Sequence, residues 1–412
     1  MRVRTLAALT ALTLLAPGLA ACSGSTGTSG KMESLTVWVP PLASDNQDKA
    51  MWDEIVKPFA DEHKVKVDVT VVPWDSYETK YMTGVTSGKG PDVGYMYFEM
   101  LGDYISRKKV VDLDSHLSDT QKSNLIFLDK GKIREKQYAL PFAVGGARVM
   151  FYNKDLLAKA DAQPPTTWEE FLAVCEKLKN AGVTPFVGAW GDPSRGTLNA
   201  QFFPFLWQAG GELFNAEGTA TRFDSPEAIR AATFINDLKT KGYLPAEATG
   251  TTPDTAHKEF HTGKAAFMLD TEAHAPQLKK AGLNYGFTAS LKDRREGTFI
   301  ATDSLVMLDK CADKKLCASL MDFLTKGPQA DKFRERMHFP PIGKDAKKAY
   351  DKEFADIYTE QKDILHALPV ITNGAPAYNA LYKNLQQMLG GEKTPEQAMK
   401  DAAKEGNAAL KK

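Results

Sequence analysis

Few residues in this chain are spaced to do chemistry. His257 and His261 stand four apart in HKEFH, a spacing that puts both imidazoles on one face of a helix. The order is not the H-E-x-x-H of zinc peptidases, because Glu259 sits mid-interval rather than beside the first histidine. The segment therefore reads as a surface helix preceding GKAAF, and no metal is expected. The chain has no G-x-S-x-G elbow, and glycine-rich GKGPDVG lacks the GK[ST] ending of a phosphate loop. Charged residues make up 25% of the chain, so carboxylates are plentiful, but no pair stands out as an acid/base couple. A non-catalytic protein without a cofactor is expected, and a secreted glycoside-acting enzyme is the alternative.

The four cysteines point to export. Arg2 and Arg4 precede an apolar run from Leu6 to Leu15 that is too short to span a bilayer and fits a secretory signal. The run ends in LAAC (Leu19–Cys22), which resembles a bacterial lipobox. That resemblance implies cleavage before Cys22 and diacylglycerol on its thiol, giving an extracytoplasmic protein anchored to the cell membrane by lipid alone. An ordinary signal cut after Ala21 is the alternative. On this reading residues 1–21 are the signal, and residues 22–32, rich in Ser, Gly and Thr, are a flexible tether. Cys311 and Cys317, six apart between a strand end and a helix start, can form a disulfide if the segment folds back. Cys175 lies on an apolar helical face with Phe171, Leu172 and Leu178 and reads as buried and inert.

These groups need a scaffold. About 390 residues remain after the signal, enough for two lobes. The whole chain has 52 basic and 52 acidic residues, so removing Arg2 and Arg4 leaves a net charge of about −2. With no long basic run, nucleic acid is not an expected partner. LTVWV (35–39) reads as a buried strand and AMWDEIVKPFADEH as a helix. VKVDVTVV alternates at Val65, Val67, Val69 and Val71, SYETKYMTGVTSG reads as a second helix, and PDVGYMYF as a third strand. This βαβαβ order predicts a parallel sheet with right-handed crossovers. Helix starts are expected at Thr166 with Glu169 as a capping box, at Ser225 before Pro226, and at Thr394 before Pro395. Helix stops are expected at Gly182 and Gly242.

GKGPDVGYMYFEMLGDY, YALPFAVGGARVMFYNKDLL, PPTTWEEFLAVCEKL and FHTGKAAFMLDTEA occur in that order. Together with the lipobox they resemble the extracellular solute-binding proteins of sugar importers, the group that includes maltose-binding protein. The resemblance implies an α/β fold of the two-lobed periplasmic-binding type, each lobe a sheet flanked by helices and joined by hinge strands. It implies a carbohydrate ligand in the cleft and the permease subunits of an ATP-binding cassette importer as partner, with the protein a monomer. The lobes are expected at 33–143 with 300–341, and at 144–299 with 342–412. Gly145 and Gly146, between two apolar strands, are the expected hinge, or else a tight turn within one sheet. A receptor for another polyol or a glycerophosphodiester, and a signalling receptor on the same fold, are the alternatives within this class.

Ligands in open α/β sheets sit beyond the carboxyl ends of strands, and sugars need aromatic faces beside planar polar groups. Ser44, Asp45 and Asn46 follow the first strand, though Ser44 or Asp45 could equally cap a helix. Tyr97 and Glu99 close the third strand, and Glu99 falls where the resemblance implies a sugar-binding carboxylate. Trp190, Asp192, Asn199 and Gln201 follow a strand-like TPFVGAW; Trp190 is a stacking face or a core tryptophan. Asp303 interrupts an apolar strand and, if buried, needs a partner. Tyr378 and Asn379 fall where relatives carry an aromatic platform. The chain departs from the maltose-binding branch at FMLDTEAHA, where Glu272, Ala273 and His274 replace a tryptophan-bearing stretch.

Overall fold

Leu35, Val37 and Val39 are fully buried on a strand, Ser34–Val39, that runs parallel to both its neighbours, Lys66–Val71 and Val93–Tyr97. The intervening helices are Asp48–His63 and Tyr77–Thr86, so the βαβαβ unit forms as expected. The second strand alternates because it is the sheet edge: of its residues only Val69 is buried. In this computed structural model the described residues are 32–42, 47–74, 76–133, 135–192, 195–346, 350 and 352–411, excluding the side chain of residue 195. Cys22, Ser44, Asp45 and Asn46 lie outside them. Among the described residues no helix is long and apolar enough to cross a membrane.

Two large sheets lie within the compact unit Glu33–Lys412, beside two small two-stranded pairings. The first has the order Lys66–Val71, Ser34–Val39, Val93–Tyr97, Ala301–Met307, Leu140–Gly145. Its late strand, Ala301–Met307, is antiparallel to both neighbours. The second has the order Tyr285–Thr288, Arg148–Asn153, Ala265–Thr271, Thr184–Val187. Around the second sheet Phe171, Phe234, Phe267, Leu381 and Ala402 form one apolar core, drawn partly from the C-terminal helices Gly374–Leu389 and Pro395–Leu410. Each sheet with its helices is one lobe.

The chain passes from one sheet to the other at Gly145 and Gly146, and the two glycines do different work. Gly146 has φ +66°, a left-handed conformation that side chains other than glycine adopt only at a cost. Gly145 allows a close approach: a Cβ there would lie 2.6 Å from Pro340 Cδ and 2.7 Å from Phe339 Cδ1. The tight turn within one sheet is therefore not what forms here, because Leu140–Gly145 and Arg148–Asn153 belong to different sheets.

Helix punctuation follows the sequence with one shift. Ser225 and Thr394 cap their helices with Pro226 and Pro395 in the first turn, and Gly182 and Gly242 adopt φ +72° after theirs. The capping box, however, is Thr167 with Glu170, not Thr166 with Glu169. Both doublets allow either register. The core decides, because starting the helix at Trp168 turns Trp168, Phe171, Val174, Cys175 and Leu178 inward. Cys311 and Cys317 form a disulfide with Cα atoms 6.7 Å apart, and Cys175 is free and buried.

Candidate functional site

At the carboxyl edge of the first sheet the aromatic residues are layered. Trp74, three residues past Lys66–Val71, is 40% exposed. Its ring stacks on Tyr97 with centroids 5.5 Å apart and planes 11° from parallel, and Tyr77 lies 5.3 Å and 5.1 Å from the two. Tyr77 is fully buried. Its hydroxyl and that of Tyr81 both donate to the Tyr95 carbonyl, the latter at 2.9 Å. The exposed indole thus rests on a rigid aromatic base.

Asp303 lies directly opposite Tyr97 in the antiparallel register, so the two side chains share one face of the sheet. The predicted need for a partner is met: Tyr95 Oη donates to Asp303 Oδ2 at 2.8 Å, and only 9% of Asp303 remains exposed. Burial, then the Asp303 charge, pushes the Tyr95 phenol well up, so it stays a donor. Glu99 sits half-buried in the short turn Phe98–Met100 beyond the same strand.

Between the sheets, burial pulls the Arg148 guanidinium down from its ordinary value, against Asp270, Glu272, Tyr358 and Asp303, whose charges hold it up. Arg148 donates to the Gly146 carbonyl and lies 5.1 Å over the Phe299 ring, while its buried Nε has no hydrogen-bond partner. Glu272 is 1% exposed. Its Oε1 accepts from Gly146 N at 3.2 Å, from Tyr350 Oη at 3.0 Å and from Tyr358 Oη. Tyr358 Oη in turn accepts from Ala147 N at 3.1 Å. Burial raises the Glu272 carboxyl above its usual value, opposed by these phenols and Arg148. The residue that departs from the maltose-binding branch is thus a backbone clasp at the crossing.

On the second sheet, Trp190, Asn199 and Gln201 gather beyond the strand Thr184–Val187 and along the helix Arg195–Gln201. Gln201 Nε2 donates to the Leu269 carbonyl at 3.3 Å, and Gly188 leaves its amide room, since a Cβ there would lie 2.2 Å from Gln201 Oε1. Trp190 Nε1, Asn199 Oδ1 and Gln201 Oε1 are buried without a hydrogen-bond partner. Asp192 is partly exposed, and its carbonyl accepts from Thr197.

The expected second-lobe stacking faces are not exposed. Trp190 is 1% exposed in the core. Tyr378 is 2% exposed, edge-on to Phe203 and Phe214 at 5.8 and 5.6 Å. Asn379, beside it on the helix Gly374–Leu389, is exposed. Both rings pack into the lobe interior because the helices Gly374–Leu389 and Arg195–Gln201 bear on the same apolar core. Sequence reading passes over Trp74 and Arg148, and meets Glu272 only as a departure from the maltose-binding branch. Trp74 had a signal, since it follows a strand as Tyr97 does; Arg148 is a lone cation between the hinge glycines and an apolar strand.

Comparison with known proteins accords with this geometry. Residues 43–330 match the model of the family described as bacterial extracellular solute-binding protein. A binding protein of Brucella abortus is 28% identical over 373 residues, covering 88% of this chain and 90% of its own. The galactooligosaccharide-binding protein of Bacillus subtilis is 24% identical over 406 residues, covering 95% and 94%. Among solved structures, the GacH receptor of Streptomyces glaucescens, determined unliganded and with acarbose, superimposes with a TM-score of 0.79 at 20% identity, covering 92% of this chain and 99% of its own.

Proposed function

The chain belongs to the bacterial extracellular solute-binding protein family, and from that premise we propose that it is the substrate-binding subunit of an ATP-binding cassette carbohydrate importer. It captures a mono- or oligosaccharide between the lobes and hands it to the permease without chemical change. The carrying observation is the exposed Trp74 ring stacked on Tyr97 at the edge that also holds Asp303 and Glu99. A pyranose offers a CH face to such a ring and hydroxyls to such carboxylates. The carboxylates disfavour an anionic ligand such as a glycerophosphodiester. The galactooligosaccharide-binding relative supports the same ligand class.

The lobes are residues 33–143 with 300–341 and residues 144–299 with 342–412. That Ala301–Met307 returns to the first sheet while Arg148–Asn153 belongs to the second supports the two-lobe division, and the strand Leu140–Gly145 carries the first sheet two residues past the first boundary. Gly145 and Gly146 act as the hinge, steadied by the Glu272 clasp. Asp192, Asn199 and Gln201 are the second lobe's contribution, the last two through amide oxygens that lack a partner within the chain, while Trp190 backs them from the core. Closure is a population shift, so the ligand must touch both lobes. Cys22 carries the lipid anchor, and the protein works as a monomer.

Thermal-shift screening against mono- and oligosaccharides, with glycerol phosphates as controls, tests this reading. A ligand at 100 times its Kd stabilises the fold by about 2.7 kcal/mol. Stabilisation by a glycerol phosphate and by no sugar refutes the carbohydrate assignment.

A further inference from the structure

The HKEFH histidines acquire partners that sequence spacing does not reveal. His257 and His261 lie one turn apart on the helix Pro253–His261. Asp270 stands near the end of the strand Ala265–Thr271, and His274 closes the short turn Glu272–His274 that follows. His257 Nε2 is 2.7 Å from Asp270 Oδ2, and His274 Nδ1 is 4.0 Å from the same oxygen. One ligand atom from each of His257, Asp270 and His274 lies within 4.8 Å of the others. Metal bonds of ~2.0–2.1 Å at tetrahedral angles set ligand atoms roughly 3.3 Å apart, so small ring rotations close this set around an ion.

We propose that His257, Asp270 and His274 bind a first-row divalent cation of the Zn²⁺ class, with His261 as the positioning residue behind His274. His261 Nε2 lies 2.6 Å from His274 Nε2, a separation at which the two nitrogens share a proton. With His274 as donor, its Nδ1 keeps the lone pair and turns it toward Asp270. Asp270 Oδ1 is fixed by Thr271 N at 2.7 Å, leaving Oδ2 for the ion. The His257 side chain is 31% exposed and that of His274 9%, so an ion enters past His257 and water completes the coordination. The bound ion ties the helix Pro253–His261 to the strand end that carries the Glu272 clasp.

The test is calorimetric titration of the untagged chain with Zn²⁺, with Mg²⁺ as control, alongside melting with and without chelator. One Zn²⁺ per chain is expected, with Mg²⁺ silent and a lower melting temperature in chelator. His257→Ala, on the partly exposed helix face, and Asp270→Asn should each weaken binding at least tenfold while circular dichroism shows them folded. His261→Ala should keep one ion per chain, bind about tenfold more weakly, and shift the visible absorption bands of the Co²⁺ complex. No saturable Zn²⁺ binding in the wild type, or undiminished binding in folded His257→Ala, overturns the proposal.

Discussion

Trp74 and Tyr97 come from the ends of different strands, yet their rings lie parallel within 11° at 5.5 Å. Tyr97 is held from below by Tyr77 at 5.1 Å, which leaves the far face of Trp74 to solvent. An exposed, immobilised indole suits a ligand better than it suits the fold. Trp74→Ala should weaken sugar binding by about 1–3 kcal/mol, roughly 5- to 150-fold. The melting temperature of the empty protein should barely move, since surface changes of this kind are usually within about 0.5 kcal/mol. Calorimetry and thermal melting of one preparation separate the two effects.

Trp190 behaves oppositely. Its ring is 1% exposed in the second-lobe core, so Trp190→Ala opens a cavity and should destabilise by about 3–5 kcal/mol. Chemical denaturation of the ligand-free variant reads this directly; an unchanged midpoint would place the ring in the cleft instead.

That contrast marks how far the sequence carries. Both tryptophans follow strands, and strand-end position alone does not say which ring meets solvent. Exposure is settled by distant segments: the helix Gly374–Leu389 helps bury the Trp190 region, and its Gln386 and Tyr382 side chains donate to the Trp190 carbonyl. Local signals transfer well where the physics is local, as at Ser225 with Pro226 or in the alternation of the edge strand. Thr167 displaced Thr166 because the decision lay with the core. The Asp270–histidine cluster was illegible because HKEFH names two of its members and folding supplies the other two.

The pairing of His257 and Asp270 makes stability depend on pH. Burial alone would raise the Asp270 carboxyl, but the hydrogen bond and charge of His257, with His274 and Arg148, bring it from 3.8 to about 2. A depressed carboxyl contributes stability that is present above pH ~4 and is lost as pH falls toward 2. His257 is raised above its usual 6.5 despite burial, by Asp270 and Asp254; its share is present below that value and is lost as pH rises through the raised one. In chelator, Asp270→Asn should cost about 2 kcal/mol at pH 5. Urea unfolding at pH 5 and at pH 2.5 should show most of that gap vanishing at the lower pH; an equal gap at both would contradict the assignment.

Cys311 and Cys317 enclose a short loop that joins a strand end to the first turn of the helix Lys314–Thr325. Replacing both with serine should cost roughly 2–3 kcal/mol on the loop-entropy view. Thiol labelling of the denatured, unreduced chain, with Cys22 excluded, should find Cys175 alone; three reactive thiols would reject the bridge.

Calorimetric titration with whichever mono- or oligosaccharide most raises the melting temperature tests the central claim, that a sugar lies between the lobes, most directly. Wild type should bind one sugar per chain. Glu99→Gln, which keeps shape but loses a charge-assisted acceptor, should weaken binding by about 1.5–3 kcal/mol, as Trp74→Ala does by its own margin, with both variants melting normally when empty. Saturable sugar binding that neither substitution weakens, or no binding by any sugar tried, would contradict the account.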